Sequence, residues 1–287
     1  MKAHPKGLFI TTLGVLFVVS DSLFVRLIEA EPLVVAFWRG MSAGLLVLSG
    51  VLLFQGPKVI RTSLSSGWPG LIYLVLIGST APGFVMAITQ TSVANVVFIF
   101  ASMPVFAAIF SWIFVGEGIT QRMALTMVGV FVGLSIIAYG STENELASWK
   151  GDLWALFVCA AYAGALTALR KVKNVSMVPA VPIAYIGSAL VFLPFISPLA
   201  PVPEQWHLLL MHGGFIAVAT CLLTLGPRYI SAAEVSLLIL LESVLAPILV
   251  WAMIGEDPGP WAIIGGVVVI GVLFASNLIL LMRRRAV

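Results

Sequence analysis

Hydrophobic positions along this chain do not alternate with polar ones. They gather into ten long apolar runs separated by short polar breaks, about Leu8 to Val25, Leu33 to Phe54, Trp68 to Ile88, Val93 to Phe114, Met123 to Tyr139, Leu153 to Leu169, Val178 to Phe195, Leu208 to Leu225, Ala233 to Met253 and Trp261 to Met282. Runs of this length predict membrane-crossing helices, since about 20 residues of helix span the hydrocarbon core. Lipid cannot satisfy free backbone groups, and the runs lack the ten-residue alternation of barrel strands, so an all-α bundle is expected. The first run follows Lys2 and Lys6, as in a signal peptide. No small-residue cleavage site follows it, however, and Asp21 and Ser22 lead into further apolar residues, so it is read as the first span.

The ninth run belongs to a stretch that occurs twice. Ser231 to Glu256 laid without gaps over Ser92 to Glu117 matches at nine of 26 positions: Ser92/Ser231, Ala94/Ala233, Val96/Val235, Val105/Val244, Ala107/Ala246, Ile109/Ile248, Trp112/Trp251, Gly116/Gly255 and Glu117/Glu256. Chance in an apolar chain would give roughly one match in ten, so the stretch reports an internal repeat. The two halves, residues 1–145 and 146–287, meet in the polar connector Gly140 to Lys150 with Glu143 and Glu145.

Composition and charge add class and orientation. With 61% hydrophobic and 9% charged residues and a mean hydropathy of +1.12, the chain is a polytopic membrane protein rather than a soluble domain. Its basic residues mark topology, not a nucleic-acid partner. With the N-terminus in the cytoplasm, twelve (Lys2, Lys6, Lys58, Arg61, Arg122, Arg170, Lys171, Lys173, Arg228, Arg283, Arg284 and Arg285) lie inside and two (Arg26 and Lys150) outside. Five spans per half then make the second half enter from the opposite side, so the repeats are inverted and both termini are cytoplasmic. All eight tryptophans fall near predicted helix ends, as an interfacial belt requires.

In this order and spacing, Arg39 in FWRGMSAGLL, Pro104 in SMPVFAAIF, the Gly116-Glu117 and Gly255-Glu256 pairs, Gly151-Asp152 and Leu241-Glu242 resemble the bacterial drug/metabolite transporters with paired EamA domains and ten helices. The resemblance covers nearly the whole chain. It implies export of small metabolites such as amino acids across the bacterial inner membrane, with no cofactor. One departure is Ser243, where proline often follows the helix-nine glutamate in that family; here Pro247 comes one turn later.

Inverted repeats bind their solute near the bilayer midplane, where interrupted helices free backbone groups. Pro104 and Pro247 suit that role, and Ser243 occupies the position equivalent to Pro104. Three ionisable residues lie within spans: Asp21, Arg39 and Glu242. Each costs about 2.5 to 3.5 kcal/mol at the bilayer centre, so each calls for a cavity or a partner. Arg39 is expected either to pair with Asp21 or to snorkel to the interface. Glu242, deepest and without a basic residue on its own helix, is the first candidate for proton coupling and Asp21 the second. Tyr162, Phe98 and Met103 are candidate cavity-lining side chains, with Phe17, Met86 and Phe157 behind them.

Other features read as structure. Glu117 and Glu256 are expected to tie loop amides at the start of the next helix, with Thr120 and Asp257 as caps. GMSAG, Gly40 to Gly44, matches an esterase pattern but lies inside a membrane helix, where small residues let helices approach, as do Gly129, Gly133, Gly271 and Ala275. His207 and His212 are five apart and do not share a helix face, so no metal site is expected. The reading is a secondary exporter of a small amphipathic solute, monomeric or homodimeric, with the lipid bilayer, the solute and candidate protons as partners. Passive facilitation is the alternative, and an intramembrane enzyme built on Ser42 a distant third.

Overall fold

In a computed structural model the described residues, 3–116, 118–141, 146–172, 176–225, 229 and 232–285, are helical with short connections. The helices are α1 (Ala3–Val19), α2 (Asp21–Leu27), α3 (Pro32–Phe54), α4 (Lys58–Leu64), α5 (Gly67–Gln90), α6 (Val93–Ala101), α7 (Met103–Val115), α8 (Gln121–Gly140), α9 (Trp149–Lys171), α10 (Val181–Phe192), α11 (Val202–Leu225), α12 (Ala232–Ile254) and α13 (Pro260–Arg285). Among the described residues nine helical segments are long and apolar enough to cross a membrane, and Leu238–Ile254 within α12 is a shorter apolar stretch. The first span, His4–Leu27, runs through α1 and α2. The turn between them at Ser20, whose hydroxyl donates to the Phe17 carbonyl at 2.9 Å, places Asp21 at a fresh helix start.

Most packing runs between the halves. α5 lies on α9, and α1 on α11; α3 meets α11, and α5 meets α10; α7 meets α9, and α1 meets α12. Exchanging each helix for its counterpart in the other half turns the first member of each pair into the second. The self-paired contacts, α3 with α10, α6 with α12 and α8 with α13, sit where such an exchange has its axis.

Glycine makes these crossings close. A Cβ at Gly133 of α8 would stand 2.6 Å from the Val269 side chain and 2.9 Å from the Gly265 carbonyl of α13. Gly129 meets Val272 the same way, whereas Gly271 has nothing within 4 Å and takes no part in this crossing. The GMSAG segment divides between neighbours. Gly40 and Gly44 admit α10 (2.9 Å to the Tyr185 carbonyl, 2.7 Å to Ile186), and Ser42 sits against Gly213 of α11 while donating to the Trp38 carbonyl.

The duplicated stretch is built differently in its two copies. The Val93 to Val115 region breaks at Ser102, whose N–H and hydroxyl both turn back to the Ile99 carbonyl (3.0 and 2.5 Å), and Pro104 opens α7. The equivalent Ser243 keeps its N–H, and α12 runs on past Pro247. Sequence places both prolines at interruptions; Pro104 follows one, whereas Pro247 lies inside a continuous helix. Both copies end alike, on Gly116 (φ 77°) and Gly255 (φ 73°), left-handed positions that favour glycine. Thr120 caps α8 by accepting from Met123 N–H at 3.3 Å. Asp257 accepts from Gly259 N–H at 2.8 Å, closing a turn before α13 instead of capping it. Glu117, Glu143 and Glu145 lie outside the described residues.

Candidate functional site

Asp21, at the start of α2, and Arg39, in the first half of α3, face each other in the bundle. Arg39 donates Nε–H to Asp21 Oδ1 at 3.0 Å and Nη2–H to Oδ2 at 2.5 Å, a two-pronged pairing that only a guanidinium can make. Arg39 also stands over the Phe84 ring at 5.2 Å. Sequence left Arg39 between pairing and snorkelling, and it pairs. The third member was not foreseen: His212 of α11 places Nε2 2.7 Å from Asp21 Oδ1 and stacks on Phe24 at 5.5 Å. All three are buried, at 2% exposure for Asp21, 8% for Arg39 and 1% for His212. A buried carboxylate already matched by Arg39 has no call for a second cation, so His212 fits as the neutral tautomer donating Nε2–H. The group links α2 and α3 of the first half to α11 of the second.

Glu242 lies on α12 within electrostatic reach of both Asp21 and Arg39. It is half-buried and, among the described residues, has no hydrogen-bond or ion-pair partner. Tyr162 of α9 lies within the same kind of reach of Glu242 and of Tyr185 on α10 and is 37% exposed. The stripe of α9 that carries it, Ala155, Cys159, Tyr162 and Leu166, is fully buried at its first two members and accessible at the last two. The broken helix changes in the same way, because α6 is buried along nearly its whole length and α7, apart from Ser111, is half-buried to exposed. Along these elements burial is thus tight toward Thr91 and Asp152 and looser beyond Ser102.

Two polar nodes close the tight end. Glu256 accepts from Val93 N–H at 2.6 Å, forms an ion pair with Arg26 at 2.8 Å, and Arg26 Nη2 donates to the Thr91 carbonyl at 2.9 Å. Glu256 therefore ties the first turn of α6, in the other half, and not the helix that follows it in sequence. A carboxylate there meets unpaired amides and the positive end of the helix. Beside it buried Asp152 accepts from Thr91 Oγ1 (2.8 Å), Asn95 Nδ2 (3.1 Å) and Ser141 Oγ (2.5 Å), joining the ends of α5 and α8 to the start of α9.

The remaining candidates are dispersed. Met103 and Pro104 are half-buried at the start of α7, next to α9. Ser243 donates to the Val97 carbonyl at 3.0 Å, bolting α12 to α6, and Pro247 is buried one turn on. Phe98 packs into a cluster with Val130, Leu240 and Val269, its ring filling the space over Gly266. Among the described residues no three His, Cys, Asp or Glu side chains are placed to share a metal ion.

The sequence pattern of the EamA-like transporter family matches residues 5–139 and again residues 149–278. No curated protein matches the chain. Among solved structures it is similar to one described only as "Crystal structure of protein", with a TM-score of 0.66 and 18% identity, covering 98% of this chain and 99% of that one. That likeness is one of fold. With two family matches spanning nearly all of its length, the chain is a multi-pass membrane protein that belongs to the EamA-like transporter family.

Proposed function

We propose that the protein is a secondary transporter that exports a small metabolite, an amino acid or similar amphipathic solute, across the bacterial inner membrane by alternating access. In this reading residues 1–145 and 146–287 are inverted five-helix repeats, ten spans in all, with both termini cytoplasmic. The charge bias then puts the end tied by Glu256 and Asp152 outside and has a recess at the looser part beyond Ser102 face the cytoplasm, the state in which an exporter loads. Met103, Pro104 and Tyr162 flank that recess, and Ser243 and Pro247 hold α12 beside it.

The observation that carries the proposal is the unpartnered carboxylate of Glu242. An Asp21–Arg39–His212 group is closed upon itself and serves to lock α2, α3 and α11 together. Glu242 is left free to exchange a proton as access alternates. The charged and titratable groups facing it are Asp21, Arg39, Tyr162 and, one step further, Tyr185 and His212.

A substrate-by-substrate efflux screen in inverted vesicles identifies the solute. Glu242→Gln then removes titration while keeping shape. The variant is expected to exchange substrate across the membrane but to lose acceleration by an imposed pH gradient. Unchanged gradient-driven transport refutes Glu242 as the coupling group and leaves facilitation without protons as the better reading.

A further inference from the structure

Beyond the end of α12 lies a cavity of about 480 Å³, a volume within the range of small-molecule sites. It is bounded by Asn95 at the start of α6, Gly140 at the end of α8, Leu146 and Ala147 before α9, and the turn from Asp257 into the start of α13 at Ala262. Glu242 is a separate place, since it lies roughly 18 Å back along α12 from the helix end at Ile254. The polar side chains of the lining offer acceptors. Asn95, 2% exposed, donates its amide Nδ2 to Ser141 Oγ at 2.8 Å and to Asp152 Oδ1 at 3.1 Å, which leaves its carbonyl oxygen without a partner among the described residues. Asp257 accepts from Gly259 N–H on Oδ1 at 2.8 Å and keeps Oδ2 to spare. Among the described residues of the lining it is the one charged side chain. Pro258 and Pro260 bring no N–H, and Trp261 adds an aromatic ring set against Tyr139 at 5.1 Å, edge to face.

From this arrangement we infer that the cavity is a binding site for a small organic cation, a primary ammonium on an aromatic or aliphatic body, with the ammonium at the Asn95 carbonyl and the Asp257 carboxylate and the body against Trp261, Pro258 and Leu146. An ammonium brings three donors to acceptors that lack them, and an indole face attracts it as well. The buried Asn95 carbonyl is costly while unpaired, so a donor that reaches it gains more than one on an open surface. A carboxylate in the same place would meet Asp257 with no lining cation to offset it. The occupant touches both halves, α6 and α8 of the first and the α12–α13 turn of the second, beside the Glu256 node. This assignment rests on the lining alone and not on the transporter reading.

The test uses the full-length protein in nanodiscs and three probes with one body: benzylamine, benzyl alcohol and benzoate. Calorimetry is expected to show the amine binding at least tenfold more tightly than the alcohol, and the carboxylate more weakly than either. Asp257→Asn keeps an acceptor for Gly259 and removes the charge, and brings the amine to the level of the alcohol. Asp257→Glu, which keeps the charge, retains the preference and shows that loss in the asparagine variant is not misfolding. The place of binding is read separately. In a variant lacking Cys159 and Cys221, Ala147→Cys puts a thiol on the cavity wall, and saturating benzylamine is expected to slow its reaction with a maleimide at least fivefold while benzoate leaves the rate unchanged. Equal or tighter binding of the alcohol or the carboxylate overturns the inference, as does an amine preference that survives Asp257→Asn. Amine binding that leaves the thiol unprotected lies elsewhere and overturns it too, and so does the absence of amine binding at millimolar concentration.

Discussion

Glu256→Gln tests whether the Glu256 node is a latch of the sealed end. The side chain accepts one amide bond, from Val93 at 2.6 Å, and one ion pair, from Arg26 at 2.8 Å, with side-chain exposures of 8% for Glu256 and 21% for Arg26. Glutamine keeps an acceptor for Val93 but loses the charge. The lost terms are the charge assistance of that hydrogen bond, its favourable placement at a helix N-terminus and the ion pair. The ion pair counts for less than about 1 kcal/mol because Arg26 is partly exposed to solvent. Together they come to about 2 kcal/mol, or roughly a 30-fold change in an equilibrium constant. If the contact exists only with this end closed, the whole amount moves the balance between closed and open forms. Spin labels at Glu29 and Asp257, either side of the node, in a variant lacking Cys159 and Cys221, read that balance by pulsed electron resonance. The substitution is expected to add a longer-distance population, and Arg26→Gln to give a similar shift that does not add to it. A lowered melting temperature with an unchanged distance distribution would mean that the node merely braces a loop, and would refute the latch.

Asp21→Asn leaves the Arg39 guanidinium buried with half its pairing gone, and is expected to cost about 3 to 5 kcal/mol, seen as loss of folded protein in detergent melting. Arg39→Lys cannot restore the two-pronged bond and should not rescue it, while Asp21→Asn with Arg39→Gln should recover more stability than either single change. Gly133→Leu forces α8 and α13 apart and should lower stability by about 1 to 3 kcal/mol or more, while Gly271→Ala, with open space around it, should leave the melting temperature unchanged.

The helical apolar runs, the repeat and the family were legible in the sequence because they rest on run length and positional identity, neither of which needs side-chain direction. Direction was not legible. In water a helix shows its buried face by an apolar stripe, but in a bilayer the lipid face is apolar too, so the stripe vanishes. Phe98 and Tyr162 look equivalent as letters, yet one fills the space over Gly266 and the other is 37% exposed. His212 was weighed only against His207, its neighbour in sequence, whereas its partner Asp21 lies on the other half of the chain. Glu256 misled similarly: its target is an amide 163 residues away, reached only because α6 and α12 pack together. The one hint was the repeat itself, which set the Gly-Glu end of one copy opposite the Ser-initiated start of the other.

That repeat is imperfect at the place where motion would concentrate. Pro104 supplies no N–H to the Phe100 carbonyl, which meets Ser102 N–H and, at 3.9 Å, Cys159 Sγ, so bending there gives up no bond between residues 104 and 100. In α12 the residue that supplies no N–H is Pro247, and the carbonyl it frees is that of Ser243, four residues beyond the equivalent of Phe100. At about 1.5 Å per residue the two points of easy bending are displaced by roughly 6 Å along their helices. Ser243 meanwhile spends its hydroxyl on Val97, just before the break in the other copy, so each bending point is braced by the partner helix. If the halves exchange conformations as proposed, they swing arms of unequal length, and the exchange cannot carry one state onto the other. The recess open at one end and the recess open at the other are then different cavities, and a solute that fits the first need not be held by the second.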